Sequence, residues 1–152
     1  MTAAPVPPRY RAPETSGRIA LIATSFEHLL GRPLVVPGDD VVAALWEAPH
    51  AIVAHGTEPD PIFFFGNRTA LTAFETDAAS FTALPSRLSA EAPQRDERQR
   101  LLDRVSQDGF IDDYAGLRIS ATGRRFRIER AIVWNLVDGD GIRHGQAATF
   151  AV

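Results

Sequence analysis

Apolar residues recur at three- and four-residue spacing from Ile19 to Leu30, and this spacing predicts an amphipathic helix. Gly31 and Pro33 follow directly and end the helix. Its apolar face consists of Ile19, Ile22, Phe26, Leu29 and Leu30, and the first four are the candidate partner-binding residues. Such a face has to be covered, so we expect the helix either to bind a second copy of the chain or to fold back on its own sheet.

The chain before this helix is rich in proline. Four prolines fall within the first 13 residues, and proline opposes regular hydrogen-bonded structure over so short a stretch. We therefore predict a flexible leader over residues 1–15 and a single folded domain over residues 16–152. A length of 152 residues suits one domain better than two, because each half would bury too little surface to stand alone.

A second short helix and a β-hairpin come next. Asp39 or Asp40 can cap a helix that ends before Pro49. The segments from His50 to His55 and from Ile62 to Phe65 are apolar, and the Gly/Pro/Asp-rich link between them predicts a hairpin. The second segment does not alternate, which indicates that both faces of its strand are covered. The amphipathic helix is the element available to cover the outer face.

Short helices fill the middle of the chain. Asn67 can cap a helix that continues through Phe74, and the stretch from Asp77 to Ala92 predicts short helical turns. A longer helix is expected from Gln94 to Gln107, with Gly109 as its left-handed terminator.

Three strands end the chain. They are predicted from Phe110 to Ser120, from Arg125 to Val137 and from Ile142 to Phe150, with short Gly- and Asp-containing links typical of consecutive hairpins. Two strands, a helical middle and three further strands predict an α+β fold. In that fold a five-stranded antiparallel sheet carries helices on one face.

The first of these links sets a pairing register. If Ser120 faces Arg125, then Asp113 and Arg130 fall on the helix-covered face of the sheet. Three interpretations stay open. The two residues form a purely structural internal ion pair, or they are polar groups in a ligand cavity, or a β-bulge rotates one of them outward.

The same register places Arg118, Arg125 and Arg127 on the opposite face, with Arg118 directly across from Arg127. Like charges in this arrangement need an acid or an anion between them. The face is therefore either neutralised by Glu129, Asp112 or solvent, or it binds an acidic protein partner.

Composition removes several classes of chemistry. The chain has no cysteine, which excludes disulfides, thiolate metal sites and a cysteine nucleophile. His50, His55 and Asp60 lack the spacing of a metal site, and we predict none. The net charge of −3 argues against nucleic-acid binding, although all 16 basic residues are arginines. Neither a membrane span nor a secretory signal is evident, so we expect a cytoplasmic protein without membrane contact.

The ordered motifs of the chain resemble those of the MEKHLA domain family over roughly residues 20–150. The resemblance rests on Glu47-Ala-Pro49, His55-Gly-Thr-Glu58, Asp60-Pro61, Gly66-Asn67, Leu84-Pro-Ser-Arg-Leu88, Gly109-Phe-Ile-Asp-Asp-Tyr114, Gly123-Arg-Arg-Phe126 and Trp134-Asn135. That family is regarded as similar to PAS domains, which implies a PAS-like five-stranded antiparallel sheet. It occurs in stand-alone bacterial proteins and at the C-terminus of plant homeodomain-leucine zipper proteins.

The resemblance also implies a ligand site and a mode of association. PAS domains hold a small molecule between sheet and helices, or they pair through the sheet and an N-terminal helix, which implies a homodimer. Flavin photosensing members use a cysteine that this chain lacks, and haem-binding members often use a histidine in the long helix, which is absent here. The cofactor is therefore unknown, although Gln146 stands on the last strand, where flavin-binding members keep a glutamine. The candidate ligand-binding residues are His55, Arg87, Asp113, Arg130, Trp134 and Gln146.

Three functional hypotheses follow from the sequence. The leading one is a non-catalytic sensory or regulatory module that binds a small molecule, a protein partner or both. The second is a structural homodimerisation module whose core is filled. The third is an enzyme of unrecognised type, with His55, Arg87, Asp113 and Arg130 as its best cluster.

Overall fold

The computed structural model describes residues 5–36, 38–89 and 92–152, the last range without the side chains of residues 92–95, 97 and 98. Five antiparallel strands form one sheet in the order β2-β1-β5-β4-β3. The strands are β1 (Ala51–His55), β2 (Phe63–Gly66), β3 (Phe110–Ile119), β4 (Arg125–Val137) and β5 (Arg143–Phe150). The α+β fold and the strand count predicted from the sequence are confirmed.

Five α-helices and two 3-10 turns accompany the sheet in the described residues. The helices are α1 (Pro13–Leu30), α2 (Val41–Glu47), α3 (Arg68–Ala73), α4 (Ala78–Phe81) and α5 (Ala92–Asp108), and the 3-10 turns are Pro8–Arg11 and Ser86–Ser89. Asp40 caps α2 and Asn67 caps α3 through their side chains, as predicted. No helix in the described part of the chain is long and apolar enough to cross a membrane.

Helix α1 lies across the outer face of the sheet. Ile19, Ile22 and Phe26 are buried there, and Trp134 of β4 donates a hydrogen bond from Nε1 to the carbonyl oxygen of Ile22 (3.2 Å). The helix therefore folds back on its own sheet. The prediction that these three residues bind a partner is wrong, because one chain already buries them, while Leu29 is half-buried against the same core.

The opposite, inner face of the sheet carries α4 and α5. Phe63 of β2 stacks on Phe81 of α4 with ring centroids 4.2 Å apart. Val133 of β4 packs in one cluster with Leu101 and Val105 of α5. Apolar packing on both faces explains the unbroken apolar strands, because the side chains that point to either face of the sheet are covered by helices.

The proline-rich start of the chain differs from the predicted leader. Residues 1–4 lie outside the described part, but Pro8–Arg11 form a 3-10 turn and α1 already begins at Pro13. Tyr10 is 0% exposed, with its ring centroid 4.8 Å from that of Phe65. Proline suits the first helical position, where its missing N–H would have no partner anyway, so these prolines start helical turns rather than prevent them.

The hydroxyl of Tyr10 completes the hydrogen bonding of an edge strand. It donates to the carbonyl oxygen of Gly66 (3.0 Å) and accepts from the Gly66 N–H (3.1 Å). Tyr10→Phe should lower the free energy of unfolding by about 1–3 kcal/mol, because both buried backbone groups lose their partner. Chemical denaturation of the two proteins measures this difference, and equal stabilities would contradict the assigned role.

The same burial gives Tyr10 a characteristic titration. Desolvation raises the pKa of Tyr10 to about 12, although the bond to Gly66 opposes this shift. The pKa of Tyr10 in the folded protein lies above its ordinary value of 10.0. The neutral, hydrogen-bonded Tyr10 therefore contributes its full stabilisation of the folded state below about pH 10, and this contribution is lost as the pH rises towards 12. Tyrosinate absorbance should therefore show one of the two tyrosines ionising near pH 12 in the folded protein.

The β3–β4 hairpin has a register one residue away from the predicted one. Ile119 pairs with Arg125, so the link contains five residues rather than four. Glu75, at the end of α3, holds this link by accepting hydrogen bonds from Ser120 Oγ (2.7 Å) and Thr122 Oγ1 (2.6 Å). Thr122 and Ser120 together hold the pKa of the Glu75 carboxyl below its ordinary value.

Two β-bulges interrupt the same hairpin. Between the pairs Tyr114–Ala131 and Ile111–Val133, residues 112–113 of β3 oppose a single residue of β4. Between the pairs Gly116–Ile128 and Tyr114–Ala131, residues 129–130 of β4 oppose a single residue of β3. Each bulge contains one residue of the predicted buried pair, Asp113 and Arg130, and both are exposed. Arg130 adopts a left-handed backbone conformation with φ of 53°.

Candidate functional site

A small cavity lies between the inner face of the sheet and α5. Its volume is about 50 Å³, several times the roughly 10–15 Å³ that one water molecule needs. Most of its wall is apolar and includes Phe63, Phe74, Val133 and Phe150. Four larger polar side chains also line it, namely His55, Tyr114, Arg118 and Gln146. A mainly apolar pocket with a few convergent polar groups has the composition of a small-molecule site.

Gln146 is the most buried polar group of the cavity, with 1% of its surface exposed. Its Nε2 donates to Oδ1 of Asn135 (3.0 Å), and Asn135 Nδ2 donates to the carbonyl oxygen of Val105 in α5 (3.0 Å). Because the Val105 carbonyl oxygen can only accept, the amide nitrogen of Asn135 must face it, and Asn135 Oδ1 therefore faces Gln146. Gln146 in turn must present its Nε2 to that oxygen. Oε1 of Gln146 is thereby left without a hydrogen-bond partner among the described residues.

His55 stands directly opposite Gln146 in the β1–β5 ladder. It is buried, and its Nδ1 lies 3.0 Å from the carbonyl oxygen of Gly56. Since a carbonyl oxygen only accepts, Nδ1 carries the hydrogen in this bond. The neighbouring strands thus place one imidazole and one amide side by side on the inner face.

Arg118 reaches the cavity from β3 together with Tyr114. Arg118 is 9% exposed, its Nη2 donates to the Tyr114 hydroxyl (2.9 Å), and its Nη1 donates to the carbonyl oxygen of Leu117 (2.8 Å). The guanidinium carbon also lies 5.2 Å from the centroid of the Tyr114 ring. Within the described residues, the salt bridges include none that involves Arg118.

The structure brings together only part of the predicted ligand site. His55 and Gln146 line the cavity, as expected. Trp134 faces α1 instead, because Val133 rather than Trp134 points inward on β4. Arg87 is half-exposed and paired with Asp60 (Nε to Oδ1, 3.0 Å), away from the cavity wall.

The structure also places the remaining candidate residues elsewhere than the sequence predicts. Of the three interpretations of Asp113 and Arg130, the structure supports the β-bulge, with both residues exposed, and the internal ion pair is wrong. The enzyme cluster that contained them does not assemble around His55. Arg118 was expected outside with Arg125 and Arg127, but it pairs with Phe126 and points inward. A shift of one residue in register exchanges the two faces of a strand.

Arg125 and Arg127 are exposed, as predicted. Arg127 Nε lies 2.9 Å from Glu129 Oε1 on the same strand, which is one of the neutralising partners considered from the sequence. Leu117 stands directly across from Arg127 and is 37% exposed. This end of the outer face therefore combines an ion pair with a partly exposed leucine.

Sequence reasoning missed Tyr114, Arg118 and Asn135 as members of the site. Asn135 left a detectable signal, because it is the one polar residue in the apolar run of residues 131–137. A buried amide in such a strand needs a hydrogen-bond partner from another element. The inward orientation of Tyr114 and Arg118 left no comparable signal, since it depends on the length of the β3–β4 link.

Comparison with known proteins identifies both a family and a fold. A family model described as the MEKHLA domain matches residues 16–152. The homeobox-leucine zipper protein HOX29 of Oryza sativa subsp. indica is 25% identical over 135 residues, which are 85% of this chain and 16% of that protein. The chain thus spans only about one-sixth of the length of this curated relative.

Solved structures similar to this chain are PAS and light-oxygen-voltage domains. The PAS domain of a protein from Colwellia psychrerythraea superposes with a TM-score of 0.60 and 14% identity, covering 71% of this chain and 89% of that one. The light-oxygen-voltage domain of the blue-light photoreceptor Aureochrome1, in its dark structure, gives a TM-score of 0.55 and 18% identity, covering 79% and 87%. At these identities the likeness concerns the fold, which is PAS-like.

Proposed function

The chain belongs to the MEKHLA domain family, and we propose that it is a non-catalytic sensory module that binds a small molecule between the sheet and α5. The proposal rests on its PAS-like fold and on the few polar groups in its mainly apolar cavity. The observation that carries this proposal is the acceptor Oε1 of Gln146. It is buried in the cavity wall and has no partner among the described residues. An unpartnered buried acceptor costs about 1–3 kcal/mol, and a bound molecule with a hydrogen-bond donor removes that cost.

The proposal does not extend to flavin photochemistry. The chain has no cysteine to form a cysteinyl adduct. The likeness to light-oxygen-voltage domains therefore supports the fold and not their photochemistry.

Native mass spectrometry tests the proposal directly. Freshly purified full-length protein should carry one extra small mass per chain, which is released when the protein is denatured. In Ala148→Leu the added side chain projects from the cavity wall, so the extra mass should be lost while the protein stays folded. A clean apo mass for the wild-type protein would shift the assignment to an interaction module that works without a ligand.

Self-association and binding of an acidic partner belong to the same proposal as secondary properties. The surface that supports them is the outer end of the β3–β4 hairpin, which α1 leaves exposed around Leu117 and Arg127. This surface replaces the apolar face of α1, because that face is buried in the chain's own core.

A further inference from the structure

Arg118 is a buried cation with few partners of its own. A guanidinium offers five N–H donors, and the described contacts of Arg118 account for two, to Tyr114 Oη and to the Leu117 carbonyl oxygen. Both acceptors are formally neutral. A cation that is 9% exposed and lies in a cavity wall needs a negative charge or many hydrogen bonds to offset its desolvation. In the described residues no carboxylate supplies that charge.

The second unsatisfied group of the same cavity is an acceptor. Oε1 of Gln146 can receive a hydrogen bond but cannot donate one. Arg118 lies on β3 and Gln146 on β5, with β4 between them, so the two groups stand on different strands of the sheet. Apolar side chains such as Phe74 and Val133 complete the same wall. The cavity therefore combines a cation, an apolar stretch and an acceptor.

We propose that the ligand of this cavity is a short monocarboxylic acid with a hydroxyl or N–H group, its carboxylate bound by Arg118 and its donor bound by Gln146. This inference rests on the proposed function and adds the ligand class to it. One planar guanidinium matches one carboxylate, with two parallel hydrogen bonds. A phosphate carries more charge than one arginine offsets, and the small size of the cavity favours a short carbon chain.

Three probes of nearly equal size separate the contributions of charge and hydroxyl. We would add 4-hydroxybutyrate, butyrate and butyramide to the full-length protein and measure affinity by calorimetry and by thermal shift. The hydroxy acid should bind best. Butyrate should bind more weakly because it leaves Gln146 unpaired, and the neutral amide should bind about ten- to a hundredfold more weakly than butyrate.

Variants of Arg118 attribute the charge preference to one residue. Arg118→Met keeps an unbranched apolar stem and should remove the preference for butyrate over butyramide. Arg118→Lys keeps the charge and should retain part of it, which also covers the case that the methionine variant does not fold. Arg143→Met is the matched control, because Arg143 is an exposed arginine at the start of β5, lies outside the cavity wall and should leave all three affinities unchanged.

A variant of Gln146 tests the acceptor. Gln146→Met removes Oε1 at similar side-chain volume, so 4-hydroxybutyrate should lose its advantage over butyrate. Equal binding of the two acids by the wild-type protein would overturn the acceptor role of Gln146. An unchanged acid preference in both Arg118 variants would overturn the role of Arg118.

The outcomes also separate this inference from the proposed function. If butyramide binds as well as butyrate, or if native mass spectrometry finds a retained molecule without a carboxyl group, the ligand class is wrong and the sensory module stands. If no probe binds and the purified protein has a clean apo mass, both fail. A retained carboxylic acid in the purified protein supports both.

Discussion

Replacing Asn67 by alanine is expected to lower the free energy of unfolding by about 3–5 kcal/mol. Asn67 is 0% exposed, and its Oδ1 accepts from the N–H groups of Ile52 (3.0 Å) and Ala70 (2.9 Å). Its Nδ2 donates to the carbonyl oxygens of Leu45 (3.1 Å) and His50 (2.9 Å). One side chain thus joins α2, β1 and α3, and alanine removes all four bonds at once.

Two further variants test this role of Asn67. Asp77→Ala removes a single exposed cap bond for comparison, and Asn67→Asp changes only the two bonds that the amide donates. Asp77→Ala removes the cap of α4, where the carboxylate accepts from Ser80 N–H (2.7 Å) at an exposed position, and should cost only about 1 kcal/mol. Asn67→Asp keeps the size and both accepted bonds but turns a carboxylate oxygen towards the carbonyls of Leu45 and His50. That repulsion raises the pKa of the new carboxyl, so the stability of this variant should increase as the pH falls.

Urea denaturation of the wild-type protein and the three variants measures these differences. A cost for Asn67→Ala no larger than that of Asp77→Ala would contradict the role of Asn67 as a buried junction. It would mean that water replaces the lost amide without penalty.

Gly145→Ala is expected to cost at least as much, and the folded protein is expected to be lost or severely destabilised. Gly145 adopts φ of 144°, a conformation that side chains disfavour by about 1–3 kcal/mol. A Cβ atom at this position would also collide with the backbone carbonyl oxygen of His55 on the adjacent strand. Because the obstacle is backbone, β1 and β5 would have to separate, and Gln146 would move with them.

Gly17→Ala is the matched control for this substitution. Gly17 lies within α1, and a Cβ atom there meets nothing within 4 Å. Alanine should therefore stabilise the protein by about 0.5–1 kcal/mol through its better helix propensity. Thermal denaturation followed by circular dichroism compares the two, and a folded Gly145→Ala protein of wild-type stability would show that the strands separate without cost.

The sequence by itself determined the elements and the fold class. The caps Asp40 and Asn67, the two-strand, helical, three-strand order and the left-handed terminator Gly109 follow from local chemistry that each segment carries alone. Gln146 follows from the resemblance to PAS domains, whose flavin-binding members keep a glutamine on the last strand, and the structure places the second candidate, His55, directly opposite it. None of these features depends on a single-residue choice of register.

Only the tertiary structure decided which way the β3–β4 side chains point. A link of four residues and a link of five are both compatible with the sequence, and the difference comes from Glu75, which binds Ser120 and Thr122 from a distant part of the chain. The bulge at residues 129–130 then turns Arg130 outward, whereas Asp113 points outward because it is the neighbour of the inward-facing Tyr114. Strand parity reverses with each one-residue shift, so long-range contacts made only after folding place Arg118 in the cavity.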